Sequence, residues 1–274
     1  MQLKQTTEGK VEVLVYSAEK ISSELPVFYN PVMKFNRDVS VALLKALGRK
    51  DLIIAEIMAG SGVRSIRFFK ELPKSMIKEL HVNDSSADAV KLIKKNFKLN
   101  KIKSKNVFFA NKEANKLLLE IGKADYIDID PFGSPNYFLD SACKKLADKG
   151  ILAVTATDTS ALSGTYPEAC LRKYWAKPLK NELMHETGIR ILIRKVQLVA
   201  SQHDKALTPI FSYSSEHYMR IFFVCEKSKT KVDELLKKHR FLLYCNKCGE
   251  RKTSEINSSI CCKTAMQFAG PLWT

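Results

Sequence analysis

Short apolar runs alternate with amphipathic stretches through most of the chain. The runs that predict buried strands are Leu52–Ile57, Leu80–Asp84, Asn106–Phe109, Tyr126–Ile129 and Gly150–Thr157. Stretches with helical spacing separate them, at residues 63–72, 87–99 and 137–146. Because strands that alternate with helices form parallel sheets, the pattern predicts an α/β fold.

The two ends of this pattern add further elements. Val11–Tyr16 alternates weakly and predicts a strand, and Asn36–Leu47 predicts a helix with Asn36 as its N-cap. After a helix-rich stretch at residues 167–203, Leu207–Tyr213 and His217–Glu226 predict a closely spaced antiparallel pair. The expected fold is therefore a Rossmann-like sheet, mostly parallel with an antiparallel last strand.

A glycine-containing turn follows the first core strand. Gly60 and Gly62 permit a tight turn and a close approach of a ligand to bare backbone. The dinucleotide fingerprint is incomplete, because Ser65 stands where its third glycine would be. Asp84 ends the next strand at about 20 residues' distance, the spacing of a carboxylate that binds ribose hydroxyls. The alternative is that Asp84 caps the following helix.

The third strand ends next to two candidates for contact with an adenine ring. Glu113 and Ala114 are the nearest residues that could meet its edge, although Glu113 is equally typical of a first helical turn. The layout of five such strands and a final antiparallel pair is that of class I S-adenosylmethionine-dependent methyltransferases. A dehydrogenase would more often complete the third glycine.

The fourth strand runs into a stiff loop that carries the candidate chemistry. Asp130 is followed by Pro131, Phe132, Gly133 and, two residues later, Pro135, which together forbid both strand and helix. Asp130 and the neighbouring carbonyls can accept hydrogen bonds from an exocyclic amino group. Phe132 can stack on the ring that carries this group. The alternative is an ordinary turn rich in Asp, Pro and Gly.

Charge and cysteine content bear on partners and compartment. Forty-five basic and 29 acidic residues give a net charge of +16, which favours a polyanionic partner or reflects a lysine-rich proteome. Seven cysteines without a signal peptide indicate a reducing, cytoplasmic location. No apolar run reaches transmembrane length, so no membrane partner is expected. Nothing points to an obligate protein partner.

The tail contains a candidate metal site. Cys245 and Cys248 form a Cys-x-x-Cys-Gly half-site, and Cys261 and Cys262 supply two more thiols. Four thiolates suit structural zinc, although adjacent ligands are expected to strain the local backbone; free or redox-active thiols are the alternative. The predicted division is a methyltransferase domain at residues 1–228 and a zinc-binding tail at residues 229–274.

Seven ordered blocks resemble the tRNA guanine-26 N2-dimethyltransferases of archaea and eukaryotes. They lie at residues 28–38, 59–67, 128–135, 154–158, 169–174, 185–190 and 269–273. By this resemblance a set of side chains and backbone positions would bind S-adenosylmethionine. It comprises Arg37, Arg64 or Arg67, Asp84, Glu113 and Ala114, with Gly60, Gly62 and Asp128 added from their positions at the strand ends.

The resemblance also implies the reaction and the substrate. Asp130, Pro131 and Phe132 would hold a guanine of tRNA for methylation at N2, and the four tail cysteines would bind zinc. The family usually continues into a further C-terminal domain, so most of that domain is expected to be missing. Alternatives are methylation of another amino group in RNA or DNA, or an RNA-binding relative that has lost catalysis.

Overall fold

The computed structural model describes residues 2–16 and 25–274, and it divides into two compact units. The first unit runs to Ile129 and includes Lys145–Ala147, and the second comprises Asp130–Lys144 and Asp148–Thr274. Within the described ranges, no helix is both long and apolar enough to cross a bilayer. The predicted domain boundary at residue 228 lies inside the second unit, and that division stays a prediction.

The first unit contains a parallel sheet. Its elements are β1 (Leu3–Glu8), β2 (Val11–Tyr16), α1 (Lys34–Leu47), β3 (Leu52–Glu56), α2 (Val63–Glu71), β4 (Ile77–Asn83), α3 (Ala87–Leu99), β5 (Val107–Ala110), α4 (Ala114–Glu120) and β6 (Ala124–Ile129). Strands β1 and β2 form an antiparallel hairpin. The other four strands pair in parallel in the order β5-β4-β3-β6.

Strand β3 is the centre of this sheet. Ile54 and Ala55 are adjacent in β3 and both fully buried, as expected for a strand covered on both faces. Strand β4 pairs with one edge of β3 and β6 pairs with the other. Ligands bind at the carboxyl ends of strands where the strand order reverses in this way. By this rule, the carboxyl ends of β3 and β6 form the candidate binding edge of the sheet.

The second unit combines helices with antiparallel strands. Its elements are α5 (Asn136–Lys145), β7 (Leu146–Ala156), α6 (Thr159–Leu162), α7 (Pro167–Tyr174), α8 (Met184–Ser201), β8 (Lys205–Ser215), β9 (Tyr218–Lys227), α9 (Lys229–Leu236), β10 (His239–Tyr244), β11 (Arg251–Ser254), β12 (Ile260–Cys261), β13 (Thr264–Ala265) and β14 (Gln267–Trp273). Strand β9 pairs antiparallel with both β7 and β8. In the tail, β10 pairs with β11 and β14, and β12 pairs with β13.

Most predicted elements are confirmed, with ends that differ by a few residues, but the start of α1 was wrong. The helix begins at Lys34 with Met33 as its N-cap, so Asn36 lies inside it and is fully buried. Among the apolar residues of this helix, Leu47 is exposed and Val41 is buried. The inward face of α1 is partly polar, and a pattern of apolar residues does not reveal it.

Candidate active site

The turn after β3 has a backbone that only glycine adopts readily. Gly60 and Gly62 have φ values of +53° and +77°, in the left-handed region. A Cβ atom at Gly60 would lie 2.9 Å from the carbonyl oxygen of Phe28. Gly62 is the N-cap of α2, and its amide donates to Ala59 O at 2.8 Å. The turn therefore presents bare backbone at the carboxyl end of β3.

Asp84 binds the glycine turn directly. Its Oδ2 accepts from the Gly60 amide at 2.8 Å, and its Oδ1 accepts from the Ser86 amide at 2.9 Å. Burial raises the pKa of Asp84, although these two amides oppose the shift. The alternative assignment of Asp84 as the cap of α3 was wrong, because the Ser86 hydroxyl caps that helix by accepting from Ala89. Each carboxylate oxygen retains acceptor capacity for a ligand.

Asn83 supports the same edge of the sheet and was missed from the sequence. Its side-chain amide donates to Ile57 O and to Lys112 O, both at 2.9 Å. Its Oδ1 accepts from the Lys112 amide at 3.0 Å. Asn83 is fully buried and thus connects the chain segments that follow β3, β4 and β5. The available signal was its position at the end of β4, directly before Asp84.

Arg64 lies in a buried network of charged and polar groups. It donates to Asp128 Oδ2 at 3.0 Å and to Asn36 Oδ1 at 2.9 Å, and its Nε lies 3.4 Å from Glu56 Oε1. The Tyr126 hydroxyl also donates to Asp128, at 2.6 Å. Burial raises the pKa of Glu56 to about 7, although the charge of Arg64 opposes the shift. Asp128 is thereby fixed at the end of β6.

Arg37 and Arg67 meet around one buried carboxylate. Arg37 donates to both oxygens of Glu8, at 2.7 and 2.6 Å, and Arg67 donates to Glu8 at 3.0 Å. Arg67 also pairs with Asp38 and Glu71. Burial alone would raise the pKa of Glu8, but the two arginines outweigh it and lower that pKa. These guanidinium groups therefore stabilise the protein interior, and their contact with a cofactor stays a prediction.

Glu113 and Ala114 lie at the start of α4. The exposed Glu113 side chain caps this helix by accepting from the Lys116 amide at 3.0 Å. Ala114 is buried. The helix-start interpretation of Glu113 is confirmed, and an additional contact with an adenine ring stays a prediction.

The loop that begins at Asp130 is held at its centre. Gly133 donates to the Thr157 hydroxyl at 2.6 Å, and the Thr157 amide donates to Gly133 O at 2.9 Å. Pro131 is buried and Asp130 is half-buried, whereas Phe132 is 60% exposed. An exposed ring on a loop that hydrogen bonds hold in place is typical of a surface that stacks on a planar ligand.

A second anchor holds the far end of the loop. The buried Tyr174 hydroxyl lies 3.1 Å from Ser134 Oγ and donates to Asp158 Oδ1 at 2.5 Å. Lys173 pairs with the other oxygen of Asp158 at 3.0 Å. Burial and the charge of Asp158 raise the pKa of Tyr174 far above its usual value. Asp158 thus has a structural role, and Asp130 is the carboxylate that the loop itself carries.

The four tail cysteines converge on one point. Their Sγ atoms all lie within 4.8 Å of one another, with Cys248 and Cys261 at 3.5 Å and Cys261 and Cys262 at 3.9 Å. A tetrahedral zinc ion with bonds of about 2.3 Å would hold its sulfur ligands about 3.8 Å apart. The arrangement therefore fits a four-thiolate metal centre.

A turn explains how two adjacent cysteines reach this point. Cys261 ends β12, and Cys262 and Lys263 have φ values of +49° and +58° in the turn that leads to β13. In a strand, neighbouring side chains point to opposite faces. The left-handed turn redirects Cys262 toward Cys261, so the adjacent spacing is accommodated in a tight hairpin.

Strand pairing, the glycine turn and Asp84 define the class as an α/β methyltransferase fold. A family model described as N2,N2-dimethylguanosine tRNA methyltransferase matches residues 8–274. The chain therefore belongs to this family, as the resemblance predicted.

Individual relatives agree with the family match. The chain is 43% identical to a tRNA (guanine(26)-N(2)/guanine(27)-N(2))-dimethyltransferase of Aquifex aeolicus, covering 97% of this chain and 70% of that protein. It is 40% identical to a tRNA (guanine(26)-N(2))-dimethyltransferase of Saccharolobus solfataricus, covering 100% and 72%. The structure of Trm1 from Pyrococcus horikoshii with S-adenosyl-L-methionine is similar, with a TM-score of 0.85 at 36% identity over 99% of this chain and 73% of that one.

Proposed function

We infer that this chain is a tRNA methyltransferase that transfers a methyl group from S-adenosylmethionine to the exocyclic N2 of guanine. Family membership supports this assignment, and the anchored Asp130–Pro135 loop is the observation in the molecule that carries it. Guanine-26 is the proposed target and N2,N2-dimethylguanosine the proposed product, because the relatives in Aquifex and Saccharolobus bear these names.

The first unit would hold the cofactor. The left-handed glycines Gly60 and Gly62 shape the turn at the carboxyl end of β3, and the Asp84 carboxylate would accept from the ribose hydroxyls. Glu113 and Ala114 would meet the adenine ring, while Arg64 holds Asp128 at the carboxyl end of β6. When bound, S-adenosylmethionine supplies an electrophilic methyl group on its sulfonium, so the protein need not form a covalent intermediate.

The second unit would hold the base. The amino nitrogen of guanine is a poor nucleophile, since its lone pair is delocalised into the ring. Acceptors at Asp130 and at a neighbouring backbone carbonyl would bind the two amino hydrogens and turn the nitrogen out of the ring plane. The Asp130 carboxylate would also stabilise positive charge as it develops on nitrogen. The exposed Phe132 ring would stack on the base and exclude water.

The tail would bind one structural zinc ion through Cys245, Cys248, Cys261 and Cys262. The tail folds from helix α9 and short strands and has a small apolar cluster that includes Leu243 and Met266, so a metal is an effective stabiliser. None of the seven cysteines, all of which lie in the described part of the chain, forms a disulfide, as expected in a reducing cytoplasm. Residues 229–274 would then form the zinc-binding part that follows the methyltransferase domain.

Mass spectrometry of nucleosides tests the assignment. Unmodified tRNA transcript is incubated with the protein and isotope-labelled cofactor, digested and analysed. Label in N2-methylguanosine and N2,N2-dimethylguanosine is expected. A matched transcript with inosine in place of guanine-26 lacks the exocyclic amino group and should remain unlabelled at that position. Label in N6-methyladenosine, or in the inosine, would contradict the proposal.

A further inference from the structure

Trp175 has an unusual backbone for its size. It follows the last residue of α7 with φ 57° and ψ 38°, the left-handed conformation that glycine usually supplies at a helix end. Its amide donates to Leu171 O at 3.0 Å. Bulky residues are rarely found in this region of φ and ψ, and such residues cluster at binding sites. The side chain is nevertheless 50% exposed, so burial of the ring does not explain the conformation.

The inner face of the Trp175 ring rests on a buried cation. Lys195 Nζ lies 3.0 Å from the ring centroid, and Lys195 itself is buried in α8. Arg194 donates to the Trp175 carbonyl oxygen at 3.3 Å. Burial and the charge of Arg194 lower the pKa of Lys195 to about 8. Lys195 therefore covers one face of the ring and Arg194 holds the backbone, while the residue as a whole is 50% exposed.

The residues before Trp175 are bonded to the candidate base-binding loop. The Tyr174 hydroxyl lies 3.1 Å from Ser134 Oγ, inside the loop. Asn136, just after the loop, donates from its side-chain amide to Lys173 O at 2.7 Å. Trp175 therefore belongs to the same rigid part of the second unit as Asp130 and Phe132.

The segment around Trp175 is strongly basic. Residues 171–180 contain four exposed cations and no acidic residue. The cations are Arg172, Lys173, Lys177 and Lys180. An exposed aromatic ring among cations is the combination that binds single-stranded nucleic acid, because the ring stacks on a base and the cations contact phosphates.

We propose that Trp175 is a stacking platform for a second base of the RNA substrate, close to the target guanine. Arg172 and Lys180 hold the phosphates of the same strand. Lys195 and Arg194 are positioning residues that keep the ring oriented before RNA arrives, so little side-chain entropy is lost on binding. This inference rests on the proposed function, since it assigns one more contact to the same substrate.

Fluorescence tests the stacking directly. The chain has two tryptophans, so a Trp273→Phe variant leaves Trp175 as the single emitter. Stacking on a base should quench its emission as tRNA is added, with a midpoint equal to the dissociation constant from filter binding. The Trp175→Phe variant, which retains Trp273, should show little quenching at the same occupancy. Unchanged Trp175 emission at saturating tRNA would overturn the proposal.

Steady-state and single-turnover kinetics test the contribution of Trp175 to substrate binding. Trp175→Gly removes the ring but suits the left-handed backbone, so the fold should be retained. The KM for tRNA should rise roughly 5- to 100-fold, while cofactor affinity and the single-turnover rate at saturating tRNA change less than about twofold. Trp175→Phe should recover much of the loss. Phe211→Ala, at an exposed aromatic on β8, is the matched control and should leave KM unchanged.

The proposed function and the stacking role of Trp175 can be disproved separately. If wild-type protein transfers no methyl group to tRNA, the proposed function is wrong. If wild-type protein methylates tRNA and Trp175→Gly has the same KM as wild type, the stacking platform is wrong and the function stands. A fall in single-turnover rate at saturating tRNA, with KM unchanged, would also reject the platform.

Discussion

The two units differ in the side chains at their candidate binding sites, which are buried and charged in the first and exposed and aromatic in the second. In the first unit, Arg64, Glu56 and Asp128 are buried and bonded to one another next to the glycine turn. In the second unit, Phe132 and Trp175 are exposed on segments that hydrogen bonds hold in place. A buried network preorganises a site for a small ligand of constant shape. Exposed rings on a fixed frame suit a large partner that brings its own surface.

This difference predicts that substitutions can impair methyl transfer and cofactor binding independently. Asp130→Asn should lower the single-turnover rate of methyl transfer by on the order of 100-fold or more, because a neutral amide does not stabilise charge on the amino nitrogen. Cofactor affinity measured by calorimetry should change much less. Asp158→Asn is the comparison variant, and its rate should fall less than that of Asp130→Asn because Asp158 is paired with Tyr174 and Lys173. Nearly full single-turnover activity in Asp130→Asn would remove Asp130 from its assigned role.

The cysteine cluster offers a structural test. Purified protein should contain about one zinc ion per chain, and a strong chelator should release it. Hydrogen-exchange protection in β10, β11 and β14 should then fall by roughly tenfold or more, while β3 and β4 stay protected. Cys143→Ser, which changes a buried cysteine outside the cluster, should leave the zinc content unchanged. A metal-free protein with a protected tail would contradict the zinc assignment.

Phe132 should show a smaller effect than Asp130. Phe132→Ala should raise the KM for tRNA by roughly tenfold, because a stacked base contributes about 1–3 kcal/mol. Phe132→Tyr keeps an aromatic face and should lose less. Steady-state kinetics with saturating cofactor measure both variants. An equal KM in Ala and Tyr variants would show that the ring does not stack on the base.

The smallest expected effect concerns pH and the buried network. Burial raises the pKa of Glu56 from its ordinary value of 4.5 to about 7, against the opposing charge of Arg64. The folded protein thus binds this proton more tightly than the unfolded chain, so this group lowers the free energy of unfolding as pH rises from about 4.5 to 7. Glu56→Gln should flatten that dependence in urea unfolding at pH 5 and pH 8. An equal change in the free energy of unfolding between pH 5 and pH 8 in both proteins would contradict the raised pKa of Glu56.

The local pattern of apolar residues and glycines was sufficient to predict the secondary-structure elements and the glycine turn. Strand length and spacing predicted the parallel strands, because these features depend on residues that are close in sequence. Asp84 lies after the glycines as expected and bonds to Gly60, while its contact with ribose stays a prediction.

Long-range polar pairing could not be predicted in the same way. Arg64 bonds to Asn36 and Asp128, which lie 28 and 64 residues away in the chain. Sequence spacing does not show which charges meet in the interior, so Asn36 was assigned to a helix cap. The left-handed φ of Cys262 was also invisible, since a turn of this kind more often contains Asn or Gly.

The central claim is that the first unit holds the cofactor through Asp84 while the second holds the base. Calorimetric titration of S-adenosylmethionine into Asp84→Ala and Asp130→Asn tests it most directly. Loss of the Asp84 carboxylate leaves ribose hydroxyls unpaired, at a cost of about 1–3 kcal/mol, so the affinity of this variant for the cofactor should fall by roughly 5- to 150-fold. Asp130→Asn should bind the cofactor as wild type does. Unchanged affinity in Asp84→Ala, or an equal loss in both variants, would contradict this division between the two units.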